Sequence, residues 1–141
     1  MSTRGLMIAL EGIDGSGTTS QARALASALR AQGYEVVVTC EPTKRRIGSL
    51  IRQALANDQL DPAALALLFA ADRIDHLAGE IGPAVARGAI VICDRYLMSS
   101  LVYQALDCDL GWIRTINRFA TPPDLYLCIE LPVEVAFARV Q

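Results

Sequence analysis

Glu11-Gly12-Ile13-Asp14-Gly15-Ser16-Gly17-Thr18-Thr19-Ser20-Gln21 is the stretch from which the rest of the chain is read. It follows an apolar run, Leu6 to Leu10, and leads into an alanine-rich stretch with Ala22, Leu25, Ala26 and Leu29 on one helical face. Strand, glycine loop and helix in that order form a phosphate cradle. Glycines let the backbone curl without Cβ clashes, N–H groups converge on one point, and the next helix aims its positive end there. Gly12 and Gly17 have the spacing such loops use, but the lysine that normally follows the second glycine is replaced by Thr18. Thr19 stands where a hydroxyl usually reaches Mg²⁺.

Outward from the loop, Gly33 suits the cap of a helix opening at Thr18 or Thr19 and running through about Gln32. Tyr34 to Thr39 reads as a second buried strand, followed by the charged loop Glu41-Pro42-Thr43-Lys44-Arg45-Arg46 and a short helix from Ile47 to Ala56. Asp61-Pro62 starts a helix predicted to run to Arg87 with a bend near Gly82-Pro83. Ala89 to Cys93 is a third strand, running into Asp94-Arg95-Tyr96. Helical stretches cover Met98 to Leu106 and Leu110 to Ala120, Leu125 to Glu130 is a fourth strand, and Pro132 starts a last helix. Apolar strands alternating with helices predict an α/β fold, a parallel sheet covered on both faces, in one domain spanning residues 1–141. Ligands in such sheets sit at the carboxyl ends of the strands, where the glycine loop, Glu41-Pro42 and Asp94-Arg95 converge.

Composition narrows the function classes. A net charge of -2 offers no basic field for nucleic acid or a membrane surface. Cys40, Cys93, Cys108 and Cys128 lack paired spacing, and with His76 as the single imidazole they predict core thiols rather than a zinc site, Cys93 and Cys128 lying in buried strands. Met1 to Gly5 is short and polar, and the apolar run after it is too brief for a signal peptide, so a cytoplasmic location is expected.

Individual side chains carry paired readings. Asp94 at a strand end either helps hold Mg²⁺ or caps the next helix. Arg95 either clamps a phosphate or is a solvated charge paired with Asp14 or Asp94. Phe69 and Arg73 share a helical face, where Phe69 stacks on a base or is plain core. Ser99-Ser100 and Tyr103-Gln104 read alone as surface polar residues, and His76 as a partly exposed helix residue without a catalytic part.

Taken together, Glu11-Gly-Ile-Asp-Gly-Ser-Gly, Glu41-Pro42, Phe69-Ala-Ala-Asp-Arg73, Asp94-Arg95-Tyr96, Ser99-Ser100, Tyr103-Gln104 and Pro123-Asp124-Leu125 resemble the thymidylate kinases, P-loop kinases of dTMP. The resemblance implies a P-loop NTPase three-layer α/β/α architecture with a central parallel sheet. It also implies a lid, a further strand and a final helix after the segment where this sequence stops, so these residues are expected to lack them. It implies that Gly12, Ile13, Asp14, Gly15, Ser16, Gly17, Thr18 and Thr19 cradle ATP and that Thr19 and Asp94 place Mg²⁺. On the acceptor side Asp14 takes the 3′-hydroxyl, Phe69 stacks on thymine, Arg73 bonds its carbonyl edge, and Ser100 and Gln104 complete base recognition. Tyr103 crowds the 2′ position and Arg95 binds the dTMP phosphate. Asp14, Asp94 and Arg95 are the implied catalytic residues, with dTMP and ATP as substrates and a homodimer as the assembly. Two departures stand out. Thr18 replaces the loop lysine, and Cys40 replaces the arginine expected before Glu41-Pro42, where Lys44, Arg45, Arg46 or Arg52 could supply the charge. The alternative readings are a catalytically impaired nucleotide-binding remnant and another small-molecule P-loop kinase.

Overall fold

In the computed structural model, which describes residues 3–57 and 60–141, the apolar strands alternate their side chains between two helical layers. The start of the Met1–Gly5 stretch lies outside the described residues. Strands β1 (Leu6–Glu11), β2 (Val36–Cys40), β3 (Ile90–Asp94) and β4 (Leu125–Cys128) are parallel, in the order β2-β3-β1-β4. Met7, Ala9, Val91 and Cys93 pack on one face against Ile81, Ala84, Val85 and Tyr96. Ile8, Leu10, Ile90, Ile92 and Val36 pack on the other against Ala22 and Ala26 of helix α1 (Thr18–Ala31), whose small side chains bring the helix close to the sheet. Burial on both faces explains why β1 and β3 read as continuous apolar runs. The layered α/β/α architecture expected from the resemblance is the one observed.

Local chemistry sets the helices. Asp61 accepts the Ala63 N–H at 2.9 Å and Pro62 opens α3 (Pro62–His76). Asp109 accepts the Trp112 N–H at 2.8 Å and opens α6 (Leu110–Ile116). Helix α2 (Arg46–Asn57) precedes α3, and α5 (Leu97–Tyr103), continued by a tighter turn Gln104–Leu106, precedes α6. Helix α7 (Val133–Val140) follows β4.

Some expectations are corrected. The helix from Asp61 breaks earlier than Gly82-Pro83: α3 ends at His76, a wide π turn covers Leu77–Ile81, and α4 (Gly82–Ala86) follows. Pro83 has no N–H and its ring crowds the carbonyl one turn back, so the chain widens just before it. Helix α6 stops at Ile116, because Asn117 turns its side chain into the interior. Cys128 is exposed rather than core, and Leu125, Tyr126 and Leu127 are exposed with it, because β4 is an edge strand paired only with β1 among the described residues.

Candidate active site

Register aligns the strand ends. Leu10 and Cys40 both pair with Asp94, so the next residues, Glu11, Glu41 and Arg95, stand side by side at one edge. Beyond Glu11 the chain turns through Gly15 and Gly17, at φ +82° and +94°, into α1. Both values lie in the left-handed region that disfavours L side chains. The Ser16 N–H donates to the Ile13 carbonyl at 3.0 Å, closing the loop, while Ser16 Oγ is buried without a partner. Thr18 is buried at the start of α1 and carries no charge toward the loop.

Thr19 Oγ1 donates to Asp94 Oδ2 at 2.5 Å, and Asp94 Oδ1 is buried without a hydrogen bond. Helix α5 is capped at Tyr96 without a side-chain bond, so Asp94 is not an N-cap. A hydroxyl against a carboxylate with an unsatisfied oxygen is a donor set that fits a hard divalent cation. Glu41, His76 and Cys93 also place ligand atoms within 4.8 Å of one another. Arg73 already neutralises that carboxylate, and burial pushes the Cys93 thiol well up, away from the thiolate a metal needs.

Arg95 has φ 68°, a strained conformation for a side-chain-bearing residue. The turn is held by Arg95 N–H donating to the Leu10 carbonyl (2.9 Å) and Tyr96 N–H donating to Glu11 Oε1 (2.9 Å). Ser99 Oγ donates to Glu11 Oε2 at 2.7 Å. Burial raises the Glu11 carboxyl above its ordinary pKa, partly offset by the Ser99 and Tyr96 bonds. The Arg95 guanidinium donates to the Gly12 carbonyl (2.8 Å) and pairs with Asp14 Oδ1 (2.7 Å), over the face of Tyr103.

A cavity of about 270 Å³ opens beside this cluster. Every acceptor-side residue expected from sequence lines it: Asp14, Phe69, Arg73, Arg95, Ser100, Tyr103 and Gln104. Phe69 is half-buried, presenting its ring to the cavity rather than being plain core. Gln104 Oε1 is buried without a partner, and Tyr103 Oη accepts the Asp14 N–H at 3.2 Å. Arg73 is almost wholly enclosed. Nε donates to Glu41 Oε2 (2.9 Å), Nη1 to Asn117 Oδ1 (2.5 Å), and Nη2 to the Tyr96 carbonyl (3.2 Å) and Ser100 Oγ (3.0 Å). A guanidinium has five N–H bonds, so these contacts leave one Nη1 hydrogen for a ligand. His76 is a correction: it is fully buried, not partly exposed, with Nδ1 3.0 Å from Glu41 Oε1.

A larger cleft of about 520 Å³ adjoins the first through Glu41, Pro42 and Arg95, and contains Thr19 and Asp94. Arg23, Lys44, Arg45 and Arg52 face it. Arg45 is committed to Asp75, at 2.6 Å. Arg52 lies against Cys40 Sγ (3.7 Å) and donates to the Pro42 carbonyl, so its charge stands next to the position where the sequence lacks an arginine.

The chain matches the thymidylate kinase family model over residues 10–141. It belongs to that family. Among its relatives, the "Probable thymidylate kinase" of Pyrococcus horikoshii is 46% identical over 145 residues, spanning 98% of this chain and 71% of the relative. The thymidylate kinase of Thermomicrobium roseum is 45% identical, spanning 94% of this chain and 66% of the relative. The crystal structure of the thymidylate kinase from Ehrlichia chaffeensis superposes with a TM-score of 0.84 at 33% identity, covering 98% of this chain and 83% of that one. In this family member three charged residues at the site were not found from sequence, among them Glu41, which lines both clefts and holds Arg73. Glu11 is quoted in the motif without a role, yet it anchors the Arg95 turn. Arg139 on α7 donates to the Gly15 carbonyl at 3.3 Å, bringing a guanidinium to the loop that lacks its lysine. Nothing local in the sequence signals that contact.

Proposed function

We propose that this chain transfers the γ-phosphoryl group of ATP to dTMP, giving ADP and dTDP. The observation that carries the reading is the cavity that combines Phe69, Arg73, Tyr103 and Gln104 with Arg95, next to a glycine loop at the strand ends. Phe69 offers a ring face for the base. The remaining Arg73 hydrogen donates to a base carbonyl, and unpartnered Gln104 Oε1 accepts the imide N–H, with Ser100 fixing Arg73 behind them. Tyr103 limits room at the 2′ carbon, and Asp14 accepts the 3′-hydroxyl through the oxygen Arg95 does not hold.

An acceptor phosphate displaces Asp14 from Arg95, because a phosphate dianion is the stronger partner for a guanidinium. One of its oxygens then attacks the γ-phosphorus of ATP while the bond to the β-phosphate oxygen breaks and ADP leaves. Such transfers need positioning and neutralised charge rather than a covalent group on the protein. Gly12 through Thr19 hold the donor phosphates through backbone N–H groups. Thr19 and Asp94 would hold Mg²⁺, which supplies charge neutralisation on the phosphates when bound. Arg139 and Arg95 contribute the cations nearest the loop. A cytoplasmic homodimer completes the proposal, on the family resemblance.

A coupled assay reading ADP against dTMP concentration tests it. Saturable dTMP-dependent ADP formation is expected. Binding of dTMP without turnover would replace it by a nucleotide-binding protein, the alternative that Thr18 and Cys40 motivate. In a thermal-shift panel, a larger shift with thymidine than with dTMP would point to a nucleoside kinase instead.

A further inference from the structure

His76 is the single histidine of the chain and is fully buried against Glu41, which lines both clefts. On one side Nδ1 lies 3.0 Å from Glu41 Oε1, whose other oxygen holds Arg73 at 2.8–2.9 Å. On the other side Nε2 lies 2.8 Å from Thr39 Oγ1 and 3.3 Å from Glu80 Oε2. The π turn that begins at Leu77 carries Glu80 to this position, and such turns gather at functional sites.

The hydrogen-bond inventory assigns the donor. Thr39 Oγ1 lies between His76 Nε2 (2.8 Å) and Glu80 Oε2 (3.1 Å), so either tautomer of the ring finds a partner on that side. The Glu41 carboxylate, facing Arg73, accepts only. Nδ1 of His76 therefore donates to Glu41 Oε1.

We propose that His76 is a positioning residue for the acceptor nucleotide: by donating to Glu41 it fixes the carboxylate that orients Arg73, a residue lining the acceptor cavity. This rests on the dTMP reading above. Without the Nδ1 donor, Glu41 Oε1 is left buried and unsatisfied, the carboxylate turns, and Arg73 loses its alignment. Contacts of this supporting kind set the precision of a site although they never touch the ligand.

Three substitutions separate this role from packing. Asn places its amide donor near Nδ1, Gln places one near Nε2, and Phe keeps the ring without donors. His76→Gln and His76→Phe should weaken dTMP binding by about tenfold, read by calorimetry. Their ATP affinity should stay unchanged, and His76→Asn should restore most of the loss. Unchanged dTMP affinity in a folded His76→Gln, or equal losses for ATP and dTMP, overturns the proposal. If His76→Phe does not fold, the Gln and Asn pair still decides. In the unsubstituted protein ¹⁵N-labelled histidine gives one imidazole, expected to show a proton on Nδ1. An unprotonated Nδ1 overturns the donor assignment. Absence of dTMP-dependent ADP formation by the unsubstituted chain counts instead against the proposed activity, so the two failures are distinguishable.

Discussion

Arg95 concentrates several constraints in one residue. Its left-handed backbone costs about 1–2 kcal/mol, and its side chain binds the Gly12 carbonyl and Asp14. Arg95→Gly relieves the strain while removing the guanidinium. Its kcat/KM for dTMP should fall by about 10²–10³, whereas its melting temperature should stay within a few degrees, measured by the coupled assay and by calorimetric melting. A second test concerns the missing lysine. Thr18→Lys should lower the KM for ATP, and Arg139→Gln should raise it by about tenfold. An unchanged KM in Arg139→Gln would show that its contact with Gly15 does not serve the nucleotide. Glu11 supplies a third. Its folded-state pKa lies above the ordinary 4.5, so between those two values the folded chain holds the proton more tightly than the unfolded chain. This carboxyl therefore favours folding on the acid side of that window, and its contribution declines as pH rises through it. Asp75 and Asp124, lowered by Arg45 and by Arg4, act in the opposite sense below pH 3.8, where stability is lost as pH falls. Glu11→Gln should remove the decline above pH 4.5, read from denaturant midpoints taken at a series of pH values.

Among the elements, β3 is the most enclosed, with Val91, Ile92 and Cys93 wholly inaccessible. Ile92→Ala should destabilise the fold by about 2–5 kcal/mol in chemical denaturation, since neighbours on both faces collapse only partly into the space. The glycine loop is limited from outside as well as by its torsions. A Cβ on Gly15 would lie 2.3 Å from the Ala136 carbonyl of α7, so the last helix and the loop fit each other only with glycine there. Strand and helix order was legible before the structure because period and punctuation are local: apolar runs for β1 and β3, Asp61-Pro62 for α3, Gly33 after α1. The break after His76 was not. A proline signals that a helix is disturbed, while the turn at which it yields depends on what packs beneath it. The exposure of β4 was likewise hidden, because an apolar run does not state whether a strand is central or at an edge.

Across the whole molecule, function depends on separate segments meeting at one sheet edge. A ligand that binds only the folded form stabilises it by an amount set by concentration over Kd, about 2.7 kcal/mol at a hundredfold excess. The thermal shift with dTMP should therefore exceed that with thymidine, because only dTMP brings a phosphate to Arg95. The sequence alone determined the layered parallel fold, since the strands and the glycine loop are written in short-range spacing, while the residues around the acceptor cavity came from the family resemblance of its motifs. Only the tertiary structure decided which charges meet. Arg139 reaches Gly15, Arg52 stands beside Cys40, and His76 is buried against Glu41. These pairs join residues distant in the chain, and each is set by how the helices pack against the sheet.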